Sequence, residues 1–309
     1  MVRRGTYSIV ARDAASGELG VAVQSHWFSV GSIVTWARAG VGAVATQSVA
    51  EGAYGPRMLE RLADRAEPGE ALAAELDGDE LAGFRQVAAV DAAGRVAVHT
   101  GDACIPDAGH QVADGYTTQA NLMASPGVWP AMAGAFEAAN GPLARRLLTA
   151  LEAGEAAGGD VRGRQSAAIL VVPARGEAWE RTVELRVEDA PDSLAELARL
   201  LDLHDAYALA DEADSLAASE RHSDAAELYR RASAAAPESI ELRFWSGLGM
   251  AAAGDVDAGA VEVEAALAAH DGWRLLLARL GPEIAPAAAA VRERLGVDAE
   301  AELGPGGGG

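Results

Sequence analysis

Short runs of alternating apolar and polar residues fill the first part of the chain, and helical periodicity follows them. The alternation predicts strands at 6–12, 19–25, 41–47, 85–91, 95–100, 116–122, 166–172 and 181–187. Helices are predicted between them at 54–63, 70–75, 128–139 and 142–153. Strands grouped around helices in this order indicate an α+β fold with stacked sheets covered by helices, not one doubly wound parallel sheet.

The strand pattern stops near Asp189, and everything from about residue 193 to 295 is compatible with helix. Small and aromatic residues there match a tetratricopeptide repeat of about 34 residues: Leu209, Ala213, Leu216, Ala225, Tyr229, Ala232 and Pro237. A weaker second copy contains Gly247, Ala266 and a turn at Gly254 and Asp255. We therefore predict a sandwich domain over 1–190, a helical domain over 191–300 and a flexible Gly-rich tail over 301–309.

Charge narrows the classes of partner. The formal net charge is −21, and all 25 basic residues are arginine. Nucleic acid and anionic membrane would be repelled by such a surface, so neither is expected as a partner. A small-molecule or peptide substrate fits better, and the helical domain is expected to bind a protein partner or a second copy of the chain.

Cysteine content and hydropathy indicate the compartment. Cys104 is the only cysteine, which excludes an intramolecular disulfide, and no signal peptide is evident behind Arg3 and Arg4. No uninterrupted apolar stretch approaches the roughly 18 residues of a membrane span. The expected location is the cytoplasm.

The chemistry suggested most directly by the sequence lies at Thr6, at the head of the first strand. Cleavage of the Gly5–Thr6 bond would give one residue both a hydroxyl nucleophile and an α-amine, and the amine has an ordinary pKa of about 7.7–8.0. Glycine before Thr6 permits the backbone geometry that such a self-cleavage needs. The alternative is that Thr6 is simply a good strand former at the edge of a hairpin.

Further polar residues are candidates for the same site. The cluster of Gln24, Ser25, His26 and Ser32 begins at the end of the second strand, and hairpin pairing brings its start close to Thr6. Asn121 ends a strand with a side-chain amide able to stabilise an oxyanion. Asp160 and Arg162 lie in a Gly-rich loop and are predicted to form an ion pair bordering a pocket. For each of these residues the alternative to a functional role is a structural one, in which the side chain packs in the core or belongs to an ordinary connecting loop.

A third cluster runs from Thr100 to His110. Cys104 and His110 suggest a thiol–imidazole pair, but no third orienting group is identifiable, and a lone buried cysteine usually behaves as a small apolar residue. His99, Asp102 and His110 match no metal-site spacing. We therefore expect a structural loop here, and no metal or cofactor anywhere.

Several of these segments together resemble the domain-of-unknown-function family numbered 1028, an N-terminal-nucleophile-hydrolase-like family. The resemblance covers about 6–203 and rests on 6–13, 20–32, 36–47, 104–110, 119–121 and 158–166. It implies a four-layer αββα sandwich with Thr6 at the position of the nucleophile and Asn121 as oxyanion donor. Family members usually begin Met-Thr, whereas here Met1 to Gly5 intervene.

Two hypotheses follow. The first is an amidohydrolase in which Thr6 forms an acyl-enzyme, Asn121 stabilises the oxyanion, and the residues Gln24, Ser25, His26, Ser32, Asp160 and Arg162 line the pocket. The second is a non-catalytic binding or scaffold protein that uses the sandwich and the helices. A thiol enzyme acting through Cys104 is a weaker third.

Overall fold

The computed structural model describes residues 5–298. The predicted Gly-rich tail at 301–309 therefore lies outside the described residues. The chain divides into two compact units, the first ending at Leu200 and the second beginning at Leu201. The division falls inside a long helix, α6 (Ser193–Ala218).

The first unit contains two antiparallel sheets. Sheet A has the spatial order β10-β9-β2-β1-β8-β7, and sheet B has the order β3-β4-β5-β6. The strands are β1 (Thr6–Arg12), β2 (Leu19–Ser25), β3 (Thr35–Arg38), β4 (Gly42–Ser48), β5 (Arg85–Asp91), β6 (Val96–Thr100), β7 (Gly109–Ala113), β8 (Tyr116–Asn121), β9 (Ser166–Val172) and β10 (Val183–Val187). All eight predicted strands are present, with their ends within two residues of the prediction.

Two edge strands were not predicted. β3 has four residues and β7 has five, and most of their side chains are only partly buried. A short, half-exposed strand carries little of the apolar alternation by which strands are recognised. The loop that was expected from Thr100 to His110 is therefore shorter in the structure, because β6 ends at Thr100 and β7 begins at Gly109.

The two sheets face each other through an apolar interior. It is built from alternate residues of the central strands, chiefly Val10, Leu19, Val21, Val23, Ala43, Ala45, Ala88, Val90, Ala168, Leu170 and Val172. Val10 opposes Val21 in β1 and β2, so the two side chains share one face of sheet A. The same strands present their intervening residues to helices.

Helices cover the outer face of each sheet. They are α2 (Tyr54–Ala63), α3 (Pro68–Leu76), α4 (Val128–Ala138) and α5 (Leu143–Ala156). The short helix α1 (Gly31–Val34) instead packs Val34 into the interior between the sheets. α2 packs Tyr54, Met58 and Leu62 on sheet B, at the four-residue spacing of one helix face. α5 lies on sheet A close to Gly20, where an added Cβ would stand 2.7 Å from Leu147 Cδ1.

The second unit is helical. Its helices after α6 are α7 (His222–Ala235), α8 (Ile240–Ala252), α9 (Val256–Ala269), α10 (Gly272–Arg279) and α11 (Ala288–Leu295). Ser239 caps α8 by accepting a hydrogen bond from the Leu242 N–H at 3.4 Å, and Asp255 caps α9 in the same way. The predicted turn before Asp255 is present, with Gly254 at φ +103°. Over residues 5–298, no helix combines the length and apolar character needed to cross a bilayer.

Candidate functional site

A row of polar side chains crosses one end of sheet A. Thr6 lies opposite Ser25 in β2 and opposite Asn121 in β8, while Ser25 in turn lies opposite Ser166 in β9. Directly opposed residues of antiparallel strands share a face. Four neighbouring strands thus bring three hydroxyls and one amide to the same end and the same face, and all four residues are fully buried. The predicted proximity of Thr6 and Ser25 is present.

The Gly5 carbonyl oxygen is the centre of this arrangement. It accepts hydrogen bonds from the Thr6 hydroxyl at 2.6 Å and from the Arg162 Nη2 at 3.0 Å. The Ser25 hydroxyl donates a third, short hydrogen bond to the same oxygen. The Thr6 and Ser25 hydroxyl oxygens also lie 3.2 Å apart. One peptide carbonyl therefore has three donors around it, including a guanidinium.

Arg162 is held by Asp160, as the sequence predicted for this pair. Its Nη2 lies 2.7 Å from Asp160 Oδ2, and its Nε donates to Oδ1 at 3.0 Å. Asp160 Oδ2 also accepts from the His26 backbone N–H at 3.1 Å. The Asp160 side chain has no exposed surface. Such a planar, bidentate pairing fixes the direction in which the guanidinium points.

Glycine at position 5 is required by this ion pair. A Cβ built there would stand 2.8 Å from Asp160 Oδ2 and 3.0 Å from Arg162 Nη2. Any side chain would push the carboxylate away from its partners. The residue before Thr6 is thus selected by packing against the same groups that contact its carbonyl.

The carbonyl of Thr6 itself is held by two amides. Asn121 Nδ2 lies 3.4 Å from Thr6 O, and Gln47 Nε2, from sheet B, lies 3.3 Å from it. Both amides also donate to Gln86 Oε1, at 2.9 and 2.7 Å. Asn121 is therefore engaged with the Thr6 carbonyl, and its predicted role as oxyanion donor stays a prediction.

Gln86 and Ser8 extend this amide network between the sheets. Gln86 Nε2 donates to Thr100 Oγ1 at 2.9 Å, Ala120 O at 2.9 Å and Gly109 O at 3.2 Å. Ser8 donates to Gln47 Oε1 at 2.6 Å. Neither Gln47 nor Gln86 was predicted to belong to this network. The signal available in the sequence was the position of each glutamine in a largely apolar strand: Gln47 lies near the end of β4, and Gln86 lies near the start of β5.

Gln24 and Ser32 are not brought to Thr6. Gln24 lies opposite Tyr7, on the face of sheet A that carries α5, so it is separated from Thr6 by the pleat of the strand. Gln24 is fully buried, and neither of its amide atoms has a hydrogen-bond partner among the described residues. Ser32 bonds within its own turn, donating to Ser29 O at 2.7 Å. Their proposed role in substrate binding stays a prediction.

His26 is at the border of the cluster. Its backbone N–H contacts Asp160, but its ring Nδ1 lies 3.2 Å from Arg164 O. The imidazole is half-buried. It is therefore placed to hold the Gly-rich loop that carries Asp160, with its ring turned to that loop's backbone.

Cys104 and His110 make separate contacts. The Cys104 thiol donates to the Arg85 carbonyl at 3.4 Å, and burial raises the pKa of this thiol above its ordinary value. His110 Nδ1 lies 2.9 Å from Thr100 Oγ1. A thiol that keeps its proton is a poor nucleophile, so this geometry gives no support to a thiol enzyme.

Comparison with known proteins identifies the family of the first unit. Residues 6–197 match the model of a family of unknown function, DUF1028. The chain belongs to the DUF1028 family. The match spans the two sheets and ends near the start of α6, so that α7 to α11 lie outside it.

One solved structure bears the same family designation. Protein SPO2555 from Silicibacter pomeroyi, which bears the DUF1028 family designation, is similar with a TM-score of 0.58 and 31% sequence identity, over 64% of this chain and 88% of that one. Anbu, the ancestral β-subunit from Yersinia bercovieri, gives a TM-score of 0.33 at 13% identity, over 62% of this chain and 91% of that one. A search of curated proteins returned no match.

Proposed function

We propose that this DUF1028 protein is an N-terminal-nucleophile amidohydrolase whose nucleophile, Thr6, is released by cleavage of the Gly5–Thr6 bond. The observation that carries the proposal is the set of three donors around the Gly5 carbonyl oxygen. In this proposal, the two sheets with α2 to α5 outside them form the four-layer αββα sandwich of such hydrolases.

The cleavage step begins with attack of Thr6 Oγ1 on the Gly5 carbonyl carbon. The bond that forms is an ester-type C–O bond, and negative charge develops on the Gly5 oxygen. The Ser25 hydroxyl and the Arg162 guanidinium already donate to that oxygen, so no reorganisation is needed to stabilise the charge. The C–N bond then breaks as the Thr6 nitrogen takes the proton that the Thr6 hydroxyl gave up, and water hydrolyses the ester to a free carboxylate on Gly5 and a free hydroxyl on Thr6.

Cleavage would also remove the group that closes the site. Thr6 is fully buried, and Gly5 and its carbonyl stand between Thr6, Ser25 and Arg162. The released chain would leave the Thr6 hydroxyl beside a free α-amine with a pKa of about 7.7–8.0, which is suited to act as a general base near neutral pH.

The reaction on substrate would repeat this chemistry. Thr6 Oγ1 attacks an amide carbonyl, the α-amine accepts the hydroxyl proton and passes it to the leaving amine, and water releases the acyl group. Asn121 and Gln47 orient the nucleophile through the Thr6 carbonyl. Asp160 keeps Arg162 aimed at the position that the Gly5 oxygen occupies before cleavage.

For the second unit we propose a tetratricopeptide-like scaffold that binds a protein partner or a second copy. Its support is that the repeat positions Ala213, Ala225, Tyr229 and Ala232 are buried. α8 and α9 also approach closely at a pair of glycines, where a Cβ on Gly247 would stand 2.7 Å from Gly259 O. Helix pairs of this kind stack into extended concave surfaces.

The test is the intact mass and N-terminal sequence of the purified protein over time, beside Thr6→Ala. We expect a chain beginning at Thr6 in the wild type and an uncleaved chain in the variant. Hydroxylamine should trap the ester and accelerate release of the upstream segment. Thr149→Ala, which removes an exposed threonine hydroxyl, is the matched control and should be cleaved normally.

Arg162→Gln supplies a second measurement. Loss of one charged donor at an oxyanion slows acyl transfer by about 10²–10³-fold, and cleavage should slow to that extent. A wild-type chain that keeps the Gly5–Thr6 bond under all these conditions would contradict the proposal and favour the non-catalytic binding protein.

A further inference from the structure

A surface cavity lies between the end of β6 and the start of β7. It is closed on one side by Trp129 of α4 and has a volume of about 540 Å³. Pockets for small organic molecules are typically about 300–1,000 Å³. The proposed chemistry at Thr6 does not use this cavity.

Negative charge dominates the lining. Asp102 and Asp107 both line the cavity, and neither carboxylate has a hydrogen-bond or ion-pair partner among residues 5–298. Burial, followed by the charge of His99, lowers the pKa of His110 below its ordinary value and favours the neutral ring near pH 7. The Cys104 thiol keeps its proton because burial raises its pKa. The described lining residues therefore include two carboxylates and no arginine to balance them.

An aromatic ring lines the same cavity. Trp129 is half-buried, and its six-membered ring lies directly against the backbone of Gly109, where a side chain would collide with it. Cations are attracted to the face of an indole as well as to carboxylates. Carboxylates and one aromatic ring around a cavity are the features that recognise organic ammonium groups.

The geometry favours an organic cation over a metal ion. Across residues 5–298, no group of three or more His, Cys, Asp or Glu side chains converges as a metal site would require. Two carboxylates with an indole instead leave room for a cation that carries its own apolar body. Thr100 and His110 add a hydroxyl and an imidazole on the same wall.

We propose that this cavity binds a small organic ammonium ion, with Asp102 and Asp107 pairing its charge and Trp129 packing against its apolar part. The cavity adjoins the Thr6 network through Gln86, whose amide donates to Thr100 and Gly109 on the cavity wall and accepts from Asn121. Binding does not depend on cleavage at Thr6, so the two proposals can fail separately.

The experiment is a titration of the full chain with benzylammonium, followed by NMR of the Trp129 indole N–H, which is assigned with Trp129→Phe. We expect a saturable shift, and affinity at least about tenfold weaker for benzyl alcohol, the uncharged analogue of similar shape. Asp102→Asn and Asp107→Asn should each weaken binding by about twofold to fivefold. Thr6→Ala should bind like the wild type.

The matched control is Glu177→Gln, which removes one negative charge at an exposed position of the same unit. It should bind benzylammonium like the wild type. Equal loss in Glu177→Gln and in the two Asp variants would show only general attraction to an acidic surface and would overturn the proposal. Absence of a saturable shift at Trp129, or equal binding of the alcohol, would overturn it as well, and the alcohol comparison needs no variant.

Discussion

The two ends of the interior between the sheets are built from the same strands but by opposite chemistry. At one end, Val10, Leu19 and Val90 pack with no polar group among them. At the other, the continuation of those strands places Thr6 and Gln86 in a hydrogen-bonded network. β1 alone runs from the buried Thr6 hydroxyl to Val10 of the apolar interior within five residues.

The apolar end stabilises the fold, whereas the polar end holds the residues of the candidate site. Burying apolar area contributes roughly 25 cal/mol per Å², whereas each buried amide must recover its lost hydration through hydrogen bonds. Gln119 Oε1 and Asn121 Oδ1 have no partner among the described residues, so the polar end recovers only part of that cost. Such a concentration of buried amides beside Thr6 is better explained by positioning than by stability.

The largest effect is expected at the apolar end. Leu19→Ala removes a fully buried side chain from between the sheets and should lower the free energy of unfolding by about 3–5 kcal/mol. Urea unfolding measures this, and the fraction of folded chain cleaved at Thr6 should be unchanged. Slower cleavage at Thr6 in the folded Leu19→Ala variant would mean that packing at the apolar end affects the geometry of the polar end.

Gln86→Leu tests the polar end. A leucine has a similar size and loses no hydration on burial, yet it removes the acceptor of Gln47 and Asn121 and the donor to Thr100. Leaving buried polar groups unpaired costs about 1–3 kcal/mol each before relaxation, so we expect a loss of about 2–3 kcal/mol in urea unfolding.

The control for this substitution is Gln111→Leu, on the partly exposed edge strand β7, which should change stability by less than about 0.5 kcal/mol. A Gln86→Leu variant more stable than the wild type would show that the polar end is replaceable by an ordinary core.

The sequence predicts eight of the ten described strands and the pairing of Thr6 with Ser25, because these follow from local alternation and one hairpin. It also predicts the Asp160–Arg162 pair, whose members are two residues apart. Gln24 shows where prediction from proximity in the sequence fails. Although it is next to Ser25, the pleat of the strand turns Gln24 towards α5 and Ser25 towards Thr6. Gln47 and Gln86 depend on how sheet B is placed on sheet A, which no local pattern encodes.

The smallest effect concerns charge at the polar end of sheet B. Asp79 accepts hydrogen bonds from Arg85 Nε at 2.7 Å and from the Tyr54 hydroxyl at 2.5 Å. The hydrogen bond from Arg85, at the first position of β5, is the main reason that the pKa of Asp79 lies well below its ordinary value. A lowered pKa in the folded state stabilises the protein above the unfolded pKa of about 3.9, and this contribution is lost as the pH falls below it.

Asp79→Asn should therefore lower the free energy of unfolding by about 1–2 kcal/mol at pH 7, with the difference from the wild type narrowing below about pH 4. Urea unfolding at pH 7, 4 and 3 measures this difference, and Asp77→Asn, at an exposed position two residues away, is the control. A difference that stays constant down to pH 3 would assign the loss to altered packing around Tyr54. A narrowing difference would show that the stability of the polar end depends on ionisation. Leu19→Ala removes no ionisable group, so its loss in the free energy of unfolding should be the same at pH 7, 4 and 3.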